Sequence, residues 1–244
     1  MPQRTNTMLA NTRISNWISG ILIGLTVALF AYAIFASWRC ETHRRPQNET
    51  FHAQCGSNPV YDPSRWTSSR NVQSSHNCYA YALDDLDDSL EHRCDDLLNR
   101  KKESSCVSLR PKPGYYSDTR MPYEERLTCS GLLQGILRDN PSIKMSSRQA
   151  KCPPCHYKIA YAVSPKKTYH FYREDKRAGH SDGPRIRRWS HKDAGGVPTR
   201  LDASNKIIRD PQDADRNYSH AQFTEFCHYL CVPENNYKNT HMKP

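Results

Sequence analysis

Three residues have the types and the setting for nucleophilic chemistry: Cys78, His170 and His191. Cys78 stands at the expected N-terminus of a helix, where exposed amides and the helix dipole favour a thiolate. His170 lies in Thr168-Tyr169-His170-Phe171-Tyr172-Arg173 and His191 in Trp189-Ser190-His191-Lys192, both with the alternation of strands. A nucleophile on an early helix, with a base and an orienting group on later strands, suits amide hydrolysis by cysteine and histidine. In that reading His170 takes the thiol proton and returns it to the leaving group, while His191 holds the His170 ring in the right tautomer. The Cys78 amide, helped by Gln73 or Asn77, would bind the tetrahedral oxyanion. Asn205 and Asp210 are reserve orienting groups. Plainer readings stand beside these. Cys78 also fits a disulfide or, less well, an inert buried thiol, and His170, flanked by Tyr169 and Phe171, a satisfied core position.

The other cysteines pose a separate question. Cys152-Pro153-Pro154-Cys155-His156 has the spacing of a redox dithiol, but such a pair needs a helix starting at Cys152, and two prolines here lead into a strand. Zinc would need a second pair, which Cys227 and Cys231 supply at helical spacing. Structural disulfides are the favoured reading. Asp202, Asp210, Asp213 and Asp215 lack the spaced loop of a calcium site and read as turn formers. No cofactor or metal ion is expected.

These groups need elements to hold them. Cys78, Ala82, Leu86, Leu90, Cys94 and Leu97 recur every three or four residues, predicting one helix that starts near Cys78 with Ser74, Ser75 or Asn77 as cap. A second helix is expected at about Tyr123 to Arg138, ended by Asp139-Asn140-Pro141. Beyond Cys155 the period changes to two, and 156–164, 168–173 and 185–192 read as strands. The segment 202–211 reads as a turn and a short strand. The final segment, Ala221 to Val232, carries Phe223, Phe226, Cys227 and Leu230 at helical spacing and is expected to be a helix. Helices first and antiparallel strands after give an α+β domain.

Ahead of this domain, Trp17 to Trp38 is 22 residues without a charged side chain. At ~1.5 Å per residue it reaches ~33 Å, enough for a hydrocarbon core of about 30 Å, with a tryptophan at each interface. A single transmembrane helix is therefore expected, with a cleaved signal peptide as the alternative. The expected layout is a tail at 1–16, the span at 17–38, a polar stalk at 39–70, the domain at 71–232 and a tail at 233–244. All ten cysteines follow the span, and Asn48 and Asn217 head glycosylation sequons. Both place the domain in a lumen, outside a cell or on a virion surface. A reduced, cytosol-facing domain that binds metal through the same thiols is the rival. The net charge of +10 is densest between Lys166 and Lys192. Without a nucleic-acid-binding motif this basic stretch reads as a solvated face or one that meets an anionic surface, and nucleic acid is not an expected partner.

Asn77-Cys78-Tyr79-Ala80-Tyr81-Ala82 resembles the catalytic-helix entry of papain-like amidases and peptidases of the CHAP and NlpC/P60 kind. NCYAYAL, YHFYR, WSHK, D-x-S-x-x-I and DP together are also similar to little-characterised proteins of large DNA viruses and some bacteria. The resemblance covers roughly residues 70–231. It implies a papain-like helix packed on an antiparallel sheet, a Cys78–His170 pair, and a peptide, isopeptide or peptidoglycan-like substrate. The chain departs from the pattern at Tyr169, where those families place glycine before the histidine, and at Asn77-Cys78-Tyr79, where they favour Asp-Cys-Ser-Gly or Gln-Cys-Thr.

Overall fold

The computed structural model describes residues 58–119, 122–176 and 188–234, all within one compact unit that spans 55–244. The expected membrane span at Trp17–Trp38 lies outside the described residues, as do most of the stalk and the basic residues 177–187. No helix among the described residues is long and apolar enough to cross a membrane.

The domain begins earlier than its polar composition suggests. Trp66, expected within the stalk, is only 1 % exposed and packs on Tyr81 and His76, so it belongs to the core of the domain. Helix α1 (Arg70–Ser75) follows, with the Ser69 hydroxyl accepting from the Val72 amide at 3.0 Å. Residues 78–99, expected as one helix, form two. Helix α2 (Cys78–Ala82) ends where Asp84 takes a φ of 50°, and α3 (Asp88–Asn99) restarts on an Asp87 cap. The aspartates in between explain the break, since they bond locally to backbone or to arginine in preference to extending a helix. Asp84, for example, accepts from the buried Arg173 at 2.9 Å.

Helix α4 (Cys129–Asp139) is shorter than expected, because Glu125–Leu127 forms a 3-10 turn and Thr128 supplies the cap. The larger correction concerns Ala221–Val232, which is not a helix. Residues Glu225–Pro233 form strand β5, inside a sheet ordered β1-β5-β2-β3-β4 with every pair antiparallel. The other strands are β1 (Lys144–Ser146), β2 (His156–Ser164), β3 (Thr168–Glu174) and β4 (Trp189–Ser190). Buried on both faces in its second half, β5 carries apolar residues without strict alternation, and its helical spacing is a coincidence that tertiary pairing overrides.

The two faces of the sheet are covered differently. Tyr157, Ile159, Tyr161 and Val163 of β2, with Phe171 of β3, pack against Tyr79, Ala82, Leu132 and Ile136 of α2 and α4. Ala160 and Tyr172 face the other way, toward Trp189, Ile208 and Tyr229. The architecture is thus α+β, with a cysteine opening a short helix that packs on an antiparallel sheet.

Candidate active site

Asn77 sets the geometry at Cys78. Its Oδ1 accepts from the Tyr79 and Ala80 amides at 3.2 and 3.1 Å, capping α2 so that Cys78 is the first helical residue. Its Nδ2 donates to the Pro111 carbonyl at 2.7 Å, which ties the turn to the loop after α3. Cys78 is 5 % exposed and is the free cysteine among the described residues. The others are oxidised. Cys94 pairs with Cys106, Cys129 with Cys227 and Cys152 with Cys231, and Cys155 is disulfide-bonded as well. Cys152 and Cys155 therefore do not form a redox pair with each other, and Cys227 and Cys231 have no thiols to offer a zinc ion.

His170 and His191 meet. His170 Nε2 and His191 Nδ1 are 2.8 Å apart, and His191 Nε2 lies 2.9 Å from the Leu201 carbonyl. A carbonyl only accepts, so His191 Nε2 carries a proton and, in the neutral ring, Nδ1 accepts. His170 Nε2 must then donate, which leaves the lone pair of His170 Nδ1 as its basic site. Asn205 and Asp210 take no part. Asn205 sits in an exposed turn at a φ of 60°, and Asp210 is held by Tyr229 and Arg148. Asp202 behaves as a turn former, its Oδ1 accepting from the Ser204 and Lys206 amides at 3.0 and 2.9 Å.

Cys78, His170 and Tyr169 line one cleft of about 350 Å³, together with Asn77, Arg110, Asp193 and Phe223. The thiol approaches β3 at its edge, where the Phe171 amide points at the sulfur. Phe171 faces the helices while His170, next to it, faces the opposite side of the sheet, beside Phe223 and Tyr218. The imidazole and the sulfur thus flank the edge of one strand, and among the described residues no hydrogen bond joins them.

Burial dominates the electrostatics. It pushes the Cys78 thiol up to about 12, against the smaller opposing pulls of the Phe171 amide and Lys192. His170 is driven well below the usual histidine range by burial and by His191 and His220, and burial lowers His191 too. At neutral pH the pair is a thiol and a neutral imidazole. The expected helix-dipole thiolate does not form because α2 has only five residues and its cysteine is desolvated.

Two neighbours of Cys78 are hard to find in a sequence. Lys192 is buried and donates to the carbonyls of Gln73, His76 and Ala194 at 2.9, 2.6 and 2.7 Å. Burial lowers it to about 7, yet all three ammonium protons are in use, so deprotonation would strand a carbonyl. It clamps the chain two residues before Cys78 to the segment just after β4 that carries His191. Arg110 donates from Nε to the Ser74 carbonyl at 2.8 Å and lines the cleft beside the thiol. Gln73 donates to the Gly195 carbonyl at 2.9 Å, so its amide and that of Asn77 serve the scaffold and not an oxyanion. A clue to Lys192 exists in its place beside His191 in WSHK. Arg110 carries no such mark.

No family model, curated protein or solved structure matches this chain.

Proposed function

We propose that the domain is a papain-like cysteine hydrolase that cleaves an amide bond, with Cys78 as nucleophile, His170 as general base and His191 as the group that orients it. The observation that carries this reading is a reduced Cys78, among disulfide-bonded cysteines, sharing a cleft with a two-histidine relay. The relay leaves His170 Nδ1 unprotonated, as a base requires. As a carbonyl approaches, Nδ1 takes the thiol proton, sulfur bonds to the carbonyl carbon, and the carbonyl electron pair moves to oxygen. Among the described residues nothing accepts from the Cys78 amide, which is the donor nearest the resulting oxyanion. Collapse expels the amine with the proton from His170, and water then hydrolyses the thioester with the same base. We also assign Trp17–Trp38 as a membrane anchor that presents the domain in an oxidising compartment, where its disulfides persist.

A second reading has its own support. The high affinity of the Cys78 thiol for its proton, and the missing contact to His170, suit a disulfide-stabilised surface protein with an inert core cysteine. A peptidyl acyloxymethyl ketone separates the two. In a hydrolase it labels Cys78 selectively, and His170→Ala slows labelling by about 10²–10⁴-fold with the disulfide map unchanged. Equal, slow labelling of both proteins would favour the structural reading.

A further inference from the structure

The cleft over Cys78 is strongly one-signed. Arg110, Lys112, Arg126 and Lys167 line it, and the acid in its lining, Asp193, lies 3.3 Å from His220. These cations come from three separate segments, so their meeting is a product of the fold rather than of a basic run. Arg126 is half-buried with its guanidinium 5.5 Å from the centre of the Tyr123 ring, and its Nε is buried with no hydrogen-bond partner among the described residues. Arg110 is held from behind by the Ser74 carbonyl. A Cβ on Gly195 would come within 2.7 Å of Arg110 Nη2, so glycine there leaves the guanidinium its place in the wall. Fixed cations in a partly desolvated cleft focus positive potential far more than mobile surface lysines do.

We propose that this cleft selects carboxylate-bearing peptides, with Arg110 receiving an acidic group close to the scissile amide. The proposal rests on the hydrolase reading and names its substrate class. Arginine suits the task because its planar fork can take both oxygens of a carboxylate. Lys112 and Lys167 are exposed and draw the substrate in, while Arg110 and Arg126 set where its charge rests.

Alkylation of the full-length protein in detergent tests the idea without a known substrate. Iodoacetate and iodoacetamide transfer nearly the same group to sulfur, each with loss of iodide, but only the first is an anion. Rates at Cys78 are measured at pH about 9, beside a neutral reference thiol, N-acetylcysteine amide. The expected ratio of iodoacetate to iodoacetamide rates is at least about tenfold above the reference. It should fall toward the reference in about 0.5 M salt and in Arg110→Gln, but persist in Arg110→Lys. The double variant Lys112→Gln/Lys167→Gln, which alters only exposed side chains, should lower the ratio part-way. A reference-like ratio with clear iodoacetamide labelling would overturn the anion preference and leave the hydrolase reading standing. Absence of labelling by either reagent overturns both.

Discussion

A protonated thiol beside a neutral imidazole limits how Cys78 can react. Its proton must leave during attack and not before, so the resting protein should not behave like an enzyme with a preformed thiolate–imidazolium pair. Iodoacetamide labelling of Cys78 should therefore rise about tenfold per pH unit, or about a hundredfold from pH 7 to pH 9, without levelling off. A plateau reached by pH 7 would show an acidified thiolate instead. The same burial links the histidines to stability. His76, His170 and His191 all have folded values below 6.5, so the unfolded chain binds more protons at acid pH than the native one. Their contribution is present above the unfolded value and is lost as pH falls through the folded values. The urea midpoint should drop between pH 7 and pH 5, and His170→Phe should flatten that drop. Buried Asp139 and Asp175 have raised values and work in the opposite sense, which is why single-histidine variants are needed to isolate the effect.

Two buried cations lock the elements around the cleft. Lys192→Met would strand the carbonyls of Gln73, His76 and Ala194, at a cost of about 3 kcal/mol or more in urea denaturation. It should also slow labelling of Cys78 by the peptidyl probe, since α1 and α2 lose their tie to the histidine strand. Arg173, fully buried, stacks 4.1 Å from the centre of the Tyr81 ring and pairs with Asp84 and Asp175. Its removal leaves the buried Asp175 with Arg200 as its ion-pair partner. Smaller gains are available in the β2–β3 turn. Pro165 is followed by Lys166 at a φ of 59°, and the Lys167 amide bonds the Ser164 carbonyl at 2.9 Å, a type II pattern that favours glycine at the third position. Lys166→Gly should stabilise the protein by about 1 kcal/mol, read as a higher urea midpoint. The sequence had left this turn as the gap between the expected strands 156–164 and 168–173, whereas the break after α2 was hidden by an apolar spacing that continues through Leu86.

At the scale of the molecule, disulfides join segments far apart in the chain. Cys129–Cys227 links the start of α4 to β5 across 98 residues, and Cys152–Cys231 ties the approach to β2 to the same strand across 79. Non-reducing peptide mapping should find these two bridges and Cys94–Cys106, with Cys78 outside any bridge. Replacing Cys129 and Cys227 together by serine should cost about 4 kcal/mol, on the chain-entropy view of so long a loop. The α+β class, the oxidised cysteines and the strands at 156–164 and 168–173 were legible in the sequence, because each rests on local periodicity or on residue type. Neither the identity of β5 as a strand nor the convergence of Arg110 and Lys192 on Cys78 was legible there. Pairing across a sheet and burial by distant segments decide those features. The same burial turned Cys78 from the acidic thiolate its helix position suggests into a thiol that holds its proton. A five-residue helix offers a small, local electrostatic gain, and desolvation by the whole fold outweighs it.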